Sequence, residues 1–222
     1  MTASPSEIHP TLAERVRTSR ALGADVDYVL HGGGNTSAKG TVTNLLGEEV
    51  EVMWVKGSGW DLGTIEAPGL PALDLKQLRA LRRVDAMTDE VMVREVRRCM
   101  LDPSGPSPSV ETLLHAFLPH RFIDHSHADA ILAVSNRANG VELCQEVFGS
   151  RVAYLHYVMP GFPLALAVAD LVDANPDVEG VLLHQHGLFT FAETADESLQ
   201  RHQELVGLAE ARYSDAKQNV LA

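Results

Sequence analysis

Two His-x-His tripeptides, His125 with His127 and His184 with His186, hold the residues best suited to binding a metal ion. Side chains two apart on an extended segment point the same way, so both imidazoles of a pair can reach one ion. Neutral imidazole is a common ligand of zinc and other divalent transition metals, and catalytic zinc sites typically use three protein ligands. Two imidazoles from one tripeptide and one from the other would supply them. The alternative is that the four imidazoles are unrelated, some in solvent and some hydrogen-bonded in the core.

The spacing excludes several familiar metal motifs. Neither tripeptide belongs to a zinc-finger or HExxH pattern, and no Glu follows His127 closely enough for a cupin metal site. Cys99 and Cys144 are the two cysteines and form no CxxC pair, so neither a thiolate zinc site nor a disulfide framework is predicted. The site we expect is therefore a histidine site with a position open to substrate.

Glu111 lies upstream of the first tripeptide, in the segment from Ser109 to His115. A carboxylate in the first turn of a helix is stabilised by the helix macrodipole by about 0.3–1 kcal/mol, which is one explanation for it. Glu111 and His115 also share a helix face at i, i+4 spacing. The functional explanation is that Glu111 faces the metal site as a general acid or base.

Two glycine-rich stretches could wrap an anion. Residues 32–37 read Gly-Gly-Gly-Asn-Thr-Ser, and residues 56–59 read Lys-Gly-Ser-Gly. Unhindered backbone N–H groups and hydroxyls, with Lys39 and Lys56 nearby, are suited to holding a phosphate. Neither stretch matches a dinucleotide-binding or P-loop motif, so nucleotide binding is not expected. Both stretches could instead be plain turns, and both lysines could be solvated surface charges.

The composition of the 222 residues narrows the class of protein. With 18 basic and 30 acidic side chains, the net charge is −12, which argues against binding nucleic acid through its phosphates. The most apolar stretch, 157–172, contains Pro160, Pro163 and Asp170, so no membrane span is predicted. The N-terminus has no basic segment followed by an apolar core, so we expect no signal peptide and a cytoplasmic protein.

Apolar periodicity places helices and strands around these motifs. Helices are predicted over 11–22, 73–84, 88–101, 109–118, 141–148, 164–172 and 195–216, and strands over 50–55, 178–183 and 188–191. Helices and strands are interspersed along the chain, which favours a layered α/β or α+β domain. The length suits a single domain over residues 1–222.

Five motifs, in this order along the chain, resemble the class II aldolase and adducin-head family. The matching residues are Gly34 to Ser37, Gly57 to Gly59, Pro108 to Glu111, His125 to His127, and His186 with Gly187. The sequence around Glu111 and His125 is most similar to the aldolase half of bifunctional rhamnulose-phosphate aldolase/dehydrogenase chains. We expect no dehydrogenase half within 222 residues.

The resemblance implies an α/β fold, a three-layer α/β/α domain with a central, mostly antiparallel sheet, assembled as a homotetramer. It implies that zinc, or another divalent metal such as Mn²⁺, Co²⁺ or Fe²⁺, is bound by three residues: His125, His127 and His186. It makes Glu111 the catalytic acid/base. It assigns the substrate's phosphate to four residues: Asn35, Ser58, Gly59 and Ser109.

Val110 departs from the family pattern, because phosphate-binding members commonly have two serines before the Glu. A branched apolar side chain cannot donate a hydrogen bond to phosphate. The substrate phosphate would then have fewer donors, or the substrate would carry a carboxylate or no anion there. Tyr213 could cover a neighbouring subunit's site, as C-terminal aromatics do in the family, or simply pack locally. The resemblance implies no role for His184.

The function that the resemblance implies is a metal-dependent aldolase, which splits a sugar-derived ketose phosphate by retro-aldol chemistry through a metal-bound enediolate. Glu111 would move the proton at the nascent carbanion. The same site could run decarboxylation or 4-epimerisation of a related sugar acid or phosphate, since each passes through a metal-bound enolate. Two other classes remain open: a non-enzymatic assembly module similar to the adducin head, and a metal-dependent oxygenase.

Overall fold

Eight helices and seven strands make up the part of the chain that the computed structural model describes, residues 8–221, with side chains described through residue 214. The helices are α1 (Pro10–Gly23), α2 (Leu75–Ala80), α3 (Asp89–Arg98), α4 (Thr112–Phe117), α5 (Asp129–Ser135), α6 (Gly140–Phe148), α7 (Phe162–Ala174) and α8 (Ala195–Leu221). The strands are β1 (Asn35–Thr43), β2 (Glu49–Val55), β3 (Ala72–Asp74), β4 (Phe122–Ser126), β5 (Val152–Leu155), β6 (Gly180–Leu183) and β7 (Gly187–Ala192).

The strands form one sheet in the order β3-β2-β1-β4-β7-β6-β5. Within residues 8–221, neighbouring strands pair antiparallel except β5 and β6, which are parallel. One face of the sheet packs against α2, α3, α4 and α7, and the other face packs against α1, α5, α6 and α8. The predicted three-layer α/β/α fold with a mostly antiparallel sheet is therefore confirmed.

Helices begin where the sequence supplies a capping group. His9 Nδ1 accepts a hydrogen bond from the Thr11 N–H at the start of α1, and Thr88 Oγ1 accepts one from the Val91 N–H at the start of α3. Five predicted helices are found with ends shifted by a few residues, namely those at 11–22, 88–101, 141–148, 164–172 and 195–216.

Two other predicted helices are shorter than expected. The helix predicted at 73–84 starts late because Ala72–Asp74 pairs with β2 as strand β3, and the carboxylate that ends this strand then caps α2. The helix predicted at 109–118 starts late because the Ser109 N–H donates to Lys56 O, which holds the chain in a loop before α4. In both places a tertiary hydrogen bond or strand pairing outweighs the local helical pattern.

Strand β1, which lies between β2 and β4 in the sheet, is absent from the sequence prediction, which treats its first residues as part of a glycine loop. The side chains of Thr36, Ser37 and Lys39 are buried in this strand although they are polar. Lys39 Nζ donates to the carbonyls of Leu118 and His120, at 2.7 and 2.6 Å, so it is not a solvated surface charge. A search for apolar alternation overlooks a strand whose buried positions are polar.

No helix in residues 8–221 combines the length and the apolar character that a bilayer crossing requires. Cys99 and Cys144 are buried and form no disulfide. Residues 1–7, which belong to the segment where no signal peptide is expected, lie outside the described residues, as does Ala222. A single domain spanning residues 1–222 therefore stays a prediction.

Candidate active site

Three imidazoles from two separate elements meet at one end of the sheet. His125 lies near the end of β4, His127 follows it, and His186 lies in the turn between β6 and β7. One ring nitrogen of each lies within 4.8 Å of the other two, and the Nε2 atoms of His125 and His127 are 3.0 Å apart. Zinc–nitrogen bonds of about 2.0–2.1 Å place the nitrogens of a tetrahedral site about 3.3 Å apart. The size of the cluster and its all-nitrogen donor set therefore fit one divalent ion.

His125 is fixed on two sides. Its Nδ1–H donates to Leu188 O of β7 at 3.0 Å, which leaves the Nε2 lone pair facing the other imidazoles. Its ring stacks on that of Phe189, with centroids 3.9 Å apart and planes 10° from parallel. Burial lowers the pKa of His125 well below its ordinary value, and burial also lowers the pKa of His127. Both imidazoles are therefore held in the neutral form that binds metals.

The turn between β6 and β7 sends its two imidazoles in different directions. Gln185 has a left-handed backbone with φ of +58°, so His184 and His186 do not share a face as they would on a strand. His186 joins the imidazole cluster, whereas His184 Nδ1 is hydrogen-bonded to the Tyr154 hydroxyl. Gly187 permits this turn because a Cβ at that position would lie 2.3 Å from a carbonyl oxygen of β4.

Glu111 immediately precedes α4, and its carboxylate faces the imidazole cluster. Its Oε1 lies 3.0 Å from His186 Nε2, and its Oε2 lies 3.5 Å from His125 Nε2. Oε1 is buried and makes no aligned hydrogen bond within the described part of the chain. Burial raises the pKa of Glu111, but His125, His186 and Asn35 outweigh burial and set the pKa below its ordinary value. Glu111 is the N-cap residue of α4, but its side chain makes no capping hydrogen bond to that helix.

Asn35, the first residue of β1, connects Glu111 to a row of buried polar groups. Its Nδ2 donates to Glu111 Oε2 at 2.5 Å and to Ser109 Oγ at 3.3 Å. Its Oδ1 accepts a hydrogen bond from His115 Nε2. A substrate phosphate would have to compete with these protein partners for the Asn35 amide.

The other three predicted phosphate-binding residues, Ser58, Gly59 and Ser109, lie on two loops that run side by side. The Ser58 N–H donates to Ser107 O at 2.7 Å, and the Ser109 N–H donates to Lys56 O at 3.0 Å. Ser58 and Gly59 are exposed, and Gly59 has a left-handed backbone with φ of +83°. The loop that carries Ser109 leads directly into Glu111, and these two hydrogen bonds join it to the loop that carries Ser58 and Gly59.

Lys56 is not the solvated surface charge that the sequence allows, and Val110, at the position of a phosphate-binding serine in the family pattern, faces a groove. Lys56 is 3% exposed, and its Nζ donates to Gly32 O at 2.8 Å, which ties the first glycine stretch to the second. Burial lowers the pKa of Lys56, while Asp61 and Glu111 act in the opposite direction. Val110 is 62% exposed and lines a shallow groove against α3.

A family model supports the resemblance seen in the motifs. The model described as Class II Aldolase and Adducin N-terminal domain matches residues 13–213. The chain belongs to this family. The matched range contains the imidazole cluster, Glu111 and the four predicted anion-binding residues. Class II aldolases use a divalent metal, and the imidazole cluster is a group that can hold one.

Solved structures and a curated relative agree with membership of the class II aldolase family. The N-terminal Class II Aldolase domain of a conserved protein from Thermoplasma acidophilum is 41% identical, with a TM-score of 0.87, covering 95% of this chain and 97% of that chain. The L-fuculose-1-phosphate aldolase from Thermus thermophilus is 18% identical with a TM-score of 0.59, covering 91% and 93%, and shows the shared fold. The uncharacterised oxidoreductase YuxG of Bacillus subtilis (strain 168) is 43% identical over 202 residues, 91% of this chain and 29% of that protein. The chain thus spans less than a third of that relative's length.

Two residues behind the site of this class II aldolase domain have no role predicted from the sequence. Phe189 supports the His125 ring, and His115 contacts Asn35. The i, i+4 spacing of Glu111 and His115 is a partial signal, although Glu111 precedes the helix and the two are joined through Asn35. The local pattern around Phe189 does not indicate that it stacks on His125, because the pairing of β4 with β7 brings the two rings together.

Proposed function

We propose that this chain is a divalent-metal-dependent aldolase, a carbon–carbon lyase that cleaves a sugar-derived ketose phosphate by retro-aldol chemistry. One observation carries the proposal: within the described residues, the carboxylate of Glu111 has a buried oxygen without an aligned hydrogen-bond partner, 3.0 Å from His186 in the three-imidazole cluster. A carboxylate that only stabilised the fold would be expected to have both oxygens bonded when buried. A buried carboxylate oxygen 3.0 Å from an imidazole of a metal-binding cluster is suited to taking and giving a proton.

The residues proposed to hold the cation are His125, His127 and His186. Zinc is the proposed ion, and Mn²⁺, Co²⁺ or Fe²⁺ are the alternatives, because neutral imidazole suits each of them. When bound there, the ion would supply Lewis-acid polarisation of the substrate carbonyl with its full double charge, because neutral imidazole ligands do not offset it. The protein's contribution is to hold the rings rigidly, through the Leu188 carbonyl and the Phe189 ring behind His125.

Glu111 is proposed to move the proton that cleavage requires at carbon. When a ketose is cleaved, the bond between the carbon next to the ketone and the carbinol carbon breaks. The carbinol hydroxyl loses a proton as the aldehyde forms, and the carbon next to the ketone gains one. Such a positioned group typically contributes about 10²–10⁴-fold in rate. The Oε1 atom of Glu111, which makes no aligned hydrogen bond within the described residues, is the oxygen proposed for this transfer.

The proposed anion-binding residues are Asn35, Ser58, Gly59 and Ser109. The Asn35 amide contacts Glu111, the loop of Ser109 leads into Glu111, and the loop of Ser58 and Gly59 is hydrogen-bonded to the Ser109 loop. The side chain of Lys56 is buried at the junction of these two loops. Val110 lines a groove against α3, so the residue that replaces the second serine of the family pattern does not have to contact the substrate. We therefore propose an anionic substrate, with phosphate held by the remaining hydroxyls and backbone N–H groups.

The decisive experiment combines elemental analysis of the purified protein with a cleavage assay on a panel of ketose-1-phosphates. We expect one divalent metal per chain and release of a three-carbon ketone phosphate plus an aldehyde from at least one member. Bound metal without cleavage of any member would overturn the aldolase proposal. Loss of carbon dioxide, or inversion without cleavage, would instead identify a decarboxylase or a 4-epimerase.

The same measurements separate the non-aldolase classes. Protein without metal, together with a His127→Ala variant that behaves as wild type, would identify an assembly module similar to the adducin head. Bound iron and a requirement for oxygen would identify an oxygenase. The matched control for the metal analysis is His156→Ala, since His156 is exposed and lies outside the imidazole cluster.

A homotetramer located in the cytoplasm remains part of the proposal. Large apolar side chains at the tip of the β1–β2 hairpin, Leu45 and Leu46, are 106% and 81% exposed, and contiguous exposed apolar surface often marks a contact between chains. Light scattering coupled to gel filtration would measure the mass of the assembly. A monomeric mass at assay concentration would contradict the tetramer without affecting the proposed chemistry.

A further inference from the structure

Behind the candidate site, Ser37, His115, Asn35 and Glu111 form an unbroken row of hydrogen bonds. Ser37 Oγ lies 2.8 Å from His115 Nδ1, His115 Nε2 bonds to Asn35 Oδ1, and Asn35 Nδ2 bonds to Glu111 Oε2. We infer that His115 is a positioning residue, which fixes the Asn35 amide so that Oε2 of Glu111 is held and Oε1 is the oxygen that reacts. This inference rests on the proposed role of Glu111.

The chemistry of the groups fixes the direction of every bond in the row. An ionised carboxylate only accepts hydrogen bonds, so the amide nitrogen of Asn35 must face Glu111 and the amide oxygen must face His115. An amide oxygen also only accepts, so the hydrogen of His115 must be on Nε2. Nδ1 of that neutral ring then accepts from the hydroxyl of Ser37. The row therefore has one consistent arrangement, with each donor directed toward Glu111.

Burial keeps this arrangement in place. Ser37 and His115 are 0% exposed, and Asn35 is 5% exposed. Burial lowers the pKa of His115 to about 3, although Glu111 acts in the opposite direction, so the ring stays neutral near neutral pH. A neutral imidazole with one hydrogen can hold an amide in one orientation, whereas a solvated or cationic ring could not do so uniquely.

The row orients Glu111 but does not carry protons to solvent. Ser37 is enclosed in β1 under α4, so the end of the row remote from Glu111 is closed. A proton entering at Glu111 Oε2 would have no exit, and an amide does not readily pass one on. The proton moved in the reaction must therefore enter and leave through Oε1, the carboxylate oxygen that makes no aligned hydrogen bond to any described residue.

The first test needs no substrate. Nuclear magnetic resonance of protein labelled with ¹⁵N-histidine reports which ring nitrogen carries the hydrogen, before and after addition of zinc alone. We expect His115 to carry its hydrogen on Nε2 in both samples, at every pH at which the protein stays folded. A hydrogen on Nδ1, or a charged ring within that range, would overturn the inference. This result stands whether or not the protein cleaves ketose phosphates.

The second test uses two substitutions that differ in one donor. A glutamine amide can occupy the place of Nε2, so His115→Gln retains a donor to Asn35, whereas His115→Leu removes it. We expect H115L to lower kcat by about 10²-fold, the typical cost of misplacing a reacting group, with bound zinc unchanged and a smaller effect on KM, since Asn35 is also a proposed anion-binding residue. H115Q should recover most of that loss. Equal losses in H115Q and H115L, or an effect on KM alone, would contradict a positioning role.

A third variant covers the case in which H115L does not fold. Ser37→Ala removes the hydroxyl that donates to His115 Nδ1 and leaves the imidazole in place. We expect the hydrogen of His115 to stay on Nε2, because Asn35 Oδ1 still accepts from it, and kcat to fall by less than the ~10²-fold cost of a misplaced reacting group. Unchanged kcat would contradict the contribution of Ser37 to the row, and a hydrogen found on Nδ1 would overturn the positioning role of His115.

Discussion

The ring of Phe189 stacks on the ring of His125, with centroids 3.9 Å apart and planes 10° from parallel. Phe189 belongs to β7 and is fully buried in the core under α4 and α7, so the hydrophobic core directly supports a candidate metal ligand. A ligand whose ring is already fixed loses less freedom when it binds an ion. Core packing and metal affinity should therefore be coupled at this position.

Phe189→Leu tests this coupling, and Phe191→Leu is its matched control. Phe191 lies on the same strand, is equally buried, and stacks on His120 in the same manner, with centroids 4.1 Å apart. Both variants should lose about 1–3 kcal/mol of unfolding free energy, as large-to-small core substitutions do. F189L should also weaken zinc binding by about 10–100-fold, the typical effect of losing a group that supports a ligand. Calorimetric titration of both variants would measure this, and equal zinc affinities would show that the stack does not tune the site.

Glu111→Gln should separate the chemistry from metal binding. The amide keeps the shape of the side chain but cannot take a proton, so we expect kcat to fall by about 10²–10⁴-fold. Bound metal should remain, since the three imidazoles are intact. Glu142→Gln, an exposed change on α6, is the control and should match wild type. Steady-state kinetics and elemental analysis on both variants would check this, and loss of metal from E111Q would indicate that Glu111 serves as a fourth ligand instead.

His184 and His186 should differ sharply although they belong to one tripeptide. The left-handed Gln185 turns His186 into the cluster and leaves His184 bonded to Tyr154. Zinc at a hundred times its dissociation constant stabilises a folded protein by about 2.7 kcal/mol. We expect that gain in His184→Ala and its loss in His186→Ala, measured as the shift of the unfolding midpoint on adding zinc. The same response in both variants would place the metal elsewhere.

How much of the site could be predicted from sequence depends on whether a local pattern decides the geometry. His125 and His127 could be paired, because a strand places alternate side chains on one face. The family resemblance assigns His186 to the metal. The position of His184 outside the cluster cannot be predicted from the local pattern, because it depends on one backbone angle at Gln185. The His115–Asn35 contact cannot be predicted either, since it joins α4 to strand β1, which apolar alternation does not detect.

The buried ion pair between Arg15 and Asp124 should matter far more to stability than an exposed pair on the same helix. Arg15 and Asp124 side chains are both 0% exposed and join α1 to β4, with their atoms 2.5 Å apart. Removing the cation leaves a buried carboxylate without its partner, which typically costs about 3–5 kcal/mol. Arg17→Met removes the exposed pair with Asp196 and should cost at most about 1 kcal/mol.

Urea unfolding of Arg15→Met and Arg17→Met would measure both costs. The methionine retains much of the aliphatic volume, so the difference between the variants reports the charge interaction. Similar free energies of unfolding in the two variants would mean that water or the Ser198 hydroxyl, which donates to Asp124 Oδ2, compensates for the missing guanidinium.

His202 should make the fold less stable as the solution becomes mildly acidic. It is fully buried on the face of the sheet opposite the site, bonded to Ser126 Oγ at 2.6 Å and Thr190 Oγ1 at 2.9 Å. Burial lowers the pKa of His202 from the ordinary 6.5 to about 4, while Asp124 acts in the opposite direction. Between these values the unfolded chain binds a proton at this residue and the folded chain does not, so the free energy of unfolding falls as pH decreases.

This contribution should amount to about 2 kcal/mol between pH 7 and pH 5, since one pKa unit corresponds to about 1.4 kcal/mol. His202→Gln removes the titrating ring and retains hydrogen-bonding groups, so we expect it to be less stable than wild type at pH 7 but to lose less stability on acidification. Denaturant unfolding of metal-depleted wild type and H202Q at both pH values separates the effect from metal release, and the difference between the two proteins cancels the protonation of His125 and His127. Parallel losses in the two proteins would assign the acid sensitivity to other groups. The next to examine are the buried His115 and the half-buried His120, because burial lowers the pKa of His115 to about 3 and that of His120 to about 4.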